Sequence, residues 1–109
     1  MPNIQKVERE LQRLVSSMLQ RDIKDKTISF VTITGVKVLK DLSKATIYYT
    51  VLGQDPKKAA VAKALDRAKG FIRSGVARKM KLRHTPELIF KYDESLEYGN
   101  KIENILKNL

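Results

Sequence analysis

Basic side chains are concentrated in one quarter of this 109-residue chain. The segment from Lys57 to Arg83 holds ten lysines and arginines and one acidic residue, Asp66, which is +9 of the net charge of +10. Like charges this close together repel each other, and a polyanion would neutralise them. Nucleic-acid phosphate is the favoured polyanion, because releasing its condensed counterions gives tight, salt-sensitive binding. The alternative is a solvated surface that only keeps the protein soluble.

The best candidates for phosphate contacts lie on either side of a glycine. Gly70 interrupts a helical pattern, where glycine weakens a helix by about 1 kcal/mol, and this predicts a kink or short break at Ala68-Lys69-Gly70. Such a break lets a ligand approach the backbone closely, and a helix restarting after it points free N–H groups at that ligand. The predicted RNA-binding residues are Lys63, Arg67, Lys69, Gly70, Arg78, Lys79, Lys81 and Arg83. Two alternatives stay open: the kink only fits two helices onto a twisted sheet, and Arg73 either binds RNA or braces the core.

Residue types for catalysis or metal binding are sparse. The chain has no cysteine and one histidine, His84, and it lacks the Walker, nucleophile-elbow and H-E-x-x-H motifs. A cluster of three carboxylates could act in acid–base catalysis or bind magnesium: Asp93, Glu94 and Glu97. Their place at the start of a helix favours a capping role, and a loop or capping role is also favoured for His84. We therefore predict no catalytic residue, no metal site and no cofactor.

Hydrophobic periodicity predicts the elements that position these residues. A helix is predicted over 3–21 with Asn3 as its N-cap, followed by a hairpin of strands over 28–39 and 45–52 with a bulge at Gly35. Asp55 and Pro56 begin a helix that breaks at Gly70 and resumes at Phe71. A strand over 87–92 and a final helix from about Glu94 to Lys107 complete the chain. The order predicts one α+β domain over residues 1–109, a mixed sheet with helices packed on it.

Adjacent tyrosines on the second strand point to opposite faces. One of Tyr48 and Tyr49 must face the core, and the other is available for stacking on a base, although packing within the hairpin is favoured. The chain has no signal-peptide pattern and no apolar run near the roughly 20 residues that span a bilayer. We expect a cytoplasmic protein that acts as a monomer and does not bind membranes.

Several of these segments, in this order, are similar to bacterial ribosome-binding factor A. The similarity rests on Asp41-Leu42-Ser43-Lys44-Ala45, on Ala68-Lys69-Gly70-Phe71-Ile72-Arg73, and on the run from Leu82 to Phe90 with Asp93. Each motif is weak alone, but their order and spacing cover nearly the whole chain. The chain differs from many members in having no arginine cluster at the start of its first helix, and in ending at Leu109 without a longer tail.

The resemblance implies a KH-like fold of the second topological type, in which an Ala-x-Gly kink, here Ala68-Lys69-Gly70, replaces the G-x-x-G loop. It also implies a non-catalytic factor that binds the free small (30S) ribosomal subunit late in assembly and assists 16S rRNA processing. Members of the family are associated with cold adaptation and with the 5′-terminal helix region of that rRNA.

We therefore expect an RNA-binding assembly factor that recognises rRNA shape through phosphates, because the chain offers few exposed aromatic residues for base stacking. Two rival functions remain. Two consecutive basic helices are compatible with a helix-turn-helix DNA-binding regulator. The carboxylate cluster that begins at Asp93 is compatible with an enzyme that binds magnesium and acts on RNA.

Overall fold

The computed structural model describes residues 3–52 and 58–95 and confirms an α+β architecture. The elements in chain order are α1 (Ile4–Arg21), a short 3-10 helix (Ile28–Phe30), β1 (Val31–Val38), β2 (Lys44–Val51), α2 (Lys58–Met80) and β3 (Glu87–Tyr92). Asp55 and Pro56, predicted to begin a helix, lie outside the described residues. So does nearly all of the final helix predicted from about Glu94 to Lys107.

Helix α1 forms because its apolar residues recur every three or four positions. The stripe is buried against the sheet and consists of Val7, Leu11, Val15, Met18 and Leu19. The Asn3 side chain caps the helix as predicted, its Oδ1 accepting a hydrogen bond from the Lys6 N–H at 3.3 Å. Helix α1 is therefore fixed on the sheet by one face, and its exposed face carries Arg9 and Arg13.

The sheet is mixed and has the strand order β1-β2-β3. Strands β1 and β2 pair antiparallel as a hairpin, whereas β3 pairs parallel to β2. The register shifts between Ile33 and Gly35, which confirms the predicted bulge. Helix α1 also contacts this strand through polar groups, because the Gln12 side-chain amide donates to the Ile33 carbonyl at 3.3 Å.

The first strand is shorter than predicted. Residues 28–30 form a 3-10 helix instead of the beginning of β1. Asp25 sets up this turn, since its side chain accepts from the Thr27 N–H at 2.9 Å and its carbonyl accepts from the Ile28 N–H at 3.0 Å. Ile28 is still buried, so the hydrophobic signal was correct about burial and wrong about backbone conformation.

Helix α2 runs without interruption from Lys58 to Met80, so the predicted break and second helix are wrong. The inward-facing positions keep one helical phase through Gly70: Val61, Ala64, Leu65, Ala68, Ile72, Gly75 and Val76. Packing both halves on one core outweighs the roughly 1 kcal/mol that one interior glycine costs. Because the helix does not restart, it offers no free terminal N–H groups beside Lys69.

Helices α1 and α2 share one core with the inner face of the sheet. Gly75 allows them to pack closely, because a Cβ built there would meet the Met18 side chain, 2.9 Å from its sulfur. The sheet contributes alternate residues, among them Ile33, Ile47 and Leu88. Within residues 3–52 and 58–95, no helix is long and apolar enough to cross a membrane.

Candidate nucleic-acid interface

One line of exposed positions runs along the solvent side of α2. Lys63, Arg67, Gly70, Ser74 and Arg78 follow each other at spacings of four, three, four and four residues, and all five are exposed. Such spacings place side chains on one face of a helix, above one another. We call this line the α2 ridge. The structure therefore brings together three of the predicted basic residues and Gly70.

The cations of the α2 ridge remain accessible to a ligand. Arg67 makes one ion pair, with Asp25 at 3.8 Å, and its side chain stays 69% exposed. An exposed pair at that distance contributes little, about 0–1 kcal/mol, and is easily exchanged for a phosphate. Gly70 is open as well, since a Cβ added there would meet nothing within 4 Å.

Lys69 and Arg73 lie on a different flank of α2, which faces β3. Lys69 is half-buried and lines a cavity of about 130 Å³ together with Asp66 and Tyr49. The Arg73 guanidinium donates to the Thr85 carbonyl at 3.0 Å and to the Pro86 carbonyl at 3.3 Å. These two bonds hold the chain that leads into β3, so Arg73 is a brace between α2 and β3.

Three further predicted residues, Lys79, Lys81 and Arg83, lie at and beyond the end of α2. Lys81 adopts a left-handed conformation with φ of 49°, the usual way to terminate a helix. Lys81 and Arg83 line a cavity of about 610 Å³, together with Lys40 and His84 and the apolar side chains of Ile4, Leu42 and Leu82. With Lys79 they form a second basic surface, which begins where the α2 ridge ends at Arg78.

One carboxylate stands at the edge of this second surface. Hydrogen bonds from Ser43 hold the pKa of the Asp41 carboxyl below its usual range, and the bond from the Ser43 hydroxyl contributes more than the bond from its backbone N–H. The corresponding hydrogen bonds to Oδ1 measure 2.7 Å and 3.0 Å. Asp41 is therefore committed to the hairpin turn, where it satisfies the backbone of a loop that contains Leu42 in a left-handed conformation, φ 63°.

In the carboxylate cluster that follows β3, Asp93 stabilises the local backbone through hydrogen bonds. Asp93 accepts hydrogen bonds from the Ser95 N–H at 3.1 Å and from the Thr34 hydroxyl at 2.6 Å. The bond from the Ser95 N–H is the contact that the predicted capping role of Asp93 requires, whereas Glu97 lies outside the described residues. Within the described part of the chain, no three His, Asp or Glu side chains come together as metal ligands.

The two tyrosines of β2 divide as predicted. Tyr49 is buried and packs edge-on against Tyr92, with ring centroids 5.8 Å apart. Burial raises the pKa of the Tyr49 phenol, with a further contribution from Tyr92. Tyr48 lies on the outer face of the sheet and is half-buried, where it lines a cavity of about 470 Å³ with Lys37 and Lys91.

The sequence analysis missed two exposed phenylalanines. Phe71 on α2 is 48% exposed and Phe30, at the end of the 3-10 helix, is 46% exposed. The apolar stripe of Ile72, Val76 and Met80 already leaves Phe71 outside the core, but the exposure of its ring was not predicted. The exposed aromatic residues are few within the described part of the chain, as expected, but one of them lies on the basic helix.

Comparisons with known proteins agree on one family. The sequence model described as ribosome-binding factor A matches residues 3–106. The ribosome-binding factor A of Geobacter metallireducens is 52% identical over 104 residues, which cover 95% of this chain and 88% of the relative. The crystal structure of ribosome-binding factor A from Thermus thermophilus has a TM-score of 0.75 at 23% identity, covering 84% of this chain and 97% of that chain, a likeness of fold.

A second similar structure from Thermus thermophilus shows this fold in a complex with a ribosomal subunit. It is a homology model of ribosome-binding factor A fitted into a cryo-EM map of a complex with the 30S subunit. It has a TM-score of 0.67 at 25% identity and covers 82% of this chain and 93% of that chain. Since the family model spans nearly the whole sequence and a relative is half identical over almost its full length, the chain belongs to the ribosome-binding factor A family, a family of non-catalytic ribosome maturation factors.

Proposed function

We propose that this chain is a cytoplasmic, monomeric factor that binds the free 30S subunit and assists its late maturation and 16S rRNA processing. In this proposal the α2 ridge contacts rRNA phosphates, and Lys79, Lys81 and Arg83 extend the contact beyond the end of the helix. We also infer that residues 1–109 form one KH-like domain of the second topological type, with a C-terminal helix. The mixed sheet, in which β3 is parallel to β2, supports this topology.

The observation that carries the proposal is the composition of the α2 ridge. Lys63, Arg67 and Arg78 share one exposed helix face, and the one acidic residue of the segment, Asp66, lines a cavity on the flank toward β3. The charged residues of the α2 ridge are all cations, and they concentrate positive potential along a line of roughly 20 Å, given a rise of about 1.5 Å per residue. That matches the dimensions and charge of a nucleic-acid backbone.

The helix-turn-helix alternative no longer has its structural basis. That motif requires two helices at a steep angle joined by a short turn. Residues 58–80 form a single helix, so the predicted pair of basic helices does not exist. The enzyme alternative is also weakened, because Asp93 is engaged by Thr34 and Ser95.

Sedimentation with purified 30S subunits tests the proposal. The parent chain should co-migrate with free 30S subunits and not with joined ribosomes, and binding should fall as salt rises with a log–log slope of about −4 to −7, for five to eight phosphates. Arg78→Gln should weaken binding and reduce the steepness of that slope by about 1. Arg13→Gln on the exposed side of α1 removes the same charge from another helix and should change neither quantity. Equal losses for both variants would mean that only net charge matters and that the α2 ridge is not the site.

A further inference from the structure

An exposed aromatic ring on a basic helix needs an explanation. Burying a phenylalanine stabilises a domain by about 1.5–3 kcal/mol, yet Phe71 keeps 48% of its surface in contact with solvent. Its neighbours at spacings of three and four residues are Arg67 and Ser74, and Arg78 lies seven residues on. Phe71 therefore borders the α2 ridge, at a position along the helix between the exposed residues Arg67 and Arg78.

The helix backbone is open at Gly70, one position before Phe71. Gly70 lies on the α2 ridge between Arg67 and Ser74, and the space where its Cβ would project is empty to 4 Å. The ring and the two arginines thus border a surface that a flat ligand can approach without meeting another side chain at position 70. The combination of a π-face and flanking cations fits a planar base whose neighbouring phosphates are negative.

We propose that Phe71 stacks on an unpaired RNA base, while Arg67 and Arg78 bind phosphates of the same RNA strand, before and after the stacked nucleotide. This inference rests on the proposed function and specifies the kind of RNA: a single-stranded or looped segment, because bases inside a duplex are covered on both faces. Charge complementarity decides the occupant. A protein segment would need both an apolar side chain and several carboxylates to match this surface, whereas every nucleotide supplies a base and a phosphate.

Affinity measurements with substituted chains give the first test. Phe71→Leu keeps an apolar side chain but removes the ring, and it should weaken binding to an unpaired oligoribonucleotide of about 12 residues by about 5- to 150-fold. Phe71→Tyr keeps the ring and should bind like the parent, which also separates loss of stacking from loss of fold. Affinity for a blunt-ended, fully paired RNA duplex should be the same for all three chains.

Fluorescence gives an independent second test, because the chain contains no tryptophan. The Phe71→Trp variant carries a single indole, and stacking on a base should quench its emission saturably with the unpaired oligoribonucleotide and not with the blunt-ended duplex. Thr32→Trp is the matched control, since Thr32 is exposed on the face of the sheet opposite the helices. Its emission should not change with either RNA.

The outcomes separate this inference from the proposed function. If Phe71→Leu binds unpaired RNA like the parent while Arg78→Gln binds weakly, stacking is refuted and the phosphate-binding ridge stands. If neither substitution alters binding to RNA or to 30S subunits, both proposals fail. Quenching of the Phe71→Trp variant by 30S subunits, but neither by unpaired RNA nor by protein-free 16S rRNA, would refute the inference and indicate a ribosomal protein as the occupant.

Discussion

Replacing Gly70 by alanine should stabilise the protein and weaken its binding to RNA. Alanine is favoured over glycine in the interior of a helix by about 0.8–1.0 kcal/mol. No steric penalty offsets that gain, because Gly70 lies within the continuous helix α2 and its missing Cβ would meet nothing within 4 Å. The free energy of unfolding should rise by about 1 kcal/mol, which for a domain of this size raises the melting temperature by about 4 °C.

The same methyl group lies where RNA is proposed to approach. It would project from the centre of the α2 ridge, one turn from Arg67 and Ser74. An RNA backbone bound close to Gly70 would have to move outward to accommodate the methyl group. This movement would lengthen the contacts between the RNA phosphates and the flanking cations. We expect affinity for 30S subunits to fall about fivefold, equivalent to about 1 kcal/mol of binding free energy.

Urea unfolding and 30S sedimentation of the Gly70→Ala chain together test this reasoning. Ala62→Gly, at an exposed position on the flank of α2 that faces β3, is the matched control and should lower stability by about 1 kcal/mol without changing affinity. A Gly70→Ala chain that is more stable and binds as well as the parent would show that RNA does not approach Gly70. A chain that is less stable would show that the helix needs glycine at this position, contrary to the open space around it.

Three further substitutions test the packing and the titration of the fold. Gly75→Ala should lower the free energy of unfolding by about 1 kcal/mol in urea titrations, because overpacking against Met18 costs about 1–3 kcal/mol and exceeds the helical gain of alanine. Arg73→Met should also lower the free energy of unfolding, by about 1–2 kcal/mol, through loss of two hydrogen bonds to carbonyls; an altered salt slope of 30S binding would instead make it an RNA contact. Burial raises the pKa of Tyr49 above its ordinary value of about 10, so the folded chain holds the phenol proton more tightly than the unfolded chain does. The parent should therefore lose stability relative to Tyr49→Phe as pH rises through the folded pKa, and a constant difference in unfolding free energy between pH 8 and 11 would contradict this.

Local patterns predicted most of the fold. The spacing from Val7 to Leu19 was sufficient for α1, and the change of phase at Gly35 located the bulge to within one residue, since the register skips Thr34. These features depend on which side of an element each residue faces, and the spacing of apolar residues along the sequence determines that side. The parallel pairing of β3 with β2 depends instead on the path of the chain through α2, which joins residues far apart in sequence.

The errors at residues 28–30 and at Gly70 have a common cause. In both places a local preference was read without the tertiary contacts that compete with it. Ile28 is β-branched and buried, but the hydrogen bonds to Asp25 determine its backbone conformation. Gly70 has a low helix propensity, but the apolar stripe on both sides of it packs on one core. Helix propensity at a single position is a small energy compared with the packing of a 23-residue helix.

The uninterrupted helix changes how the basic segment works. In a helix–break–helix unit, the residues on the two helices can move relative to each other, and a ligand must fix the distance between them. In a single helix, Arg67 and Arg78 are held at one separation before any ligand arrives, so less conformational entropy is lost on binding. The brace from Arg73 and the close contact at Gly75 fix the same helix against β3 and α1. A rigid line of cations selects ligands whose phosphates already have a matching spacing, and this favours structured rRNA over flexible polyanions of equal charge.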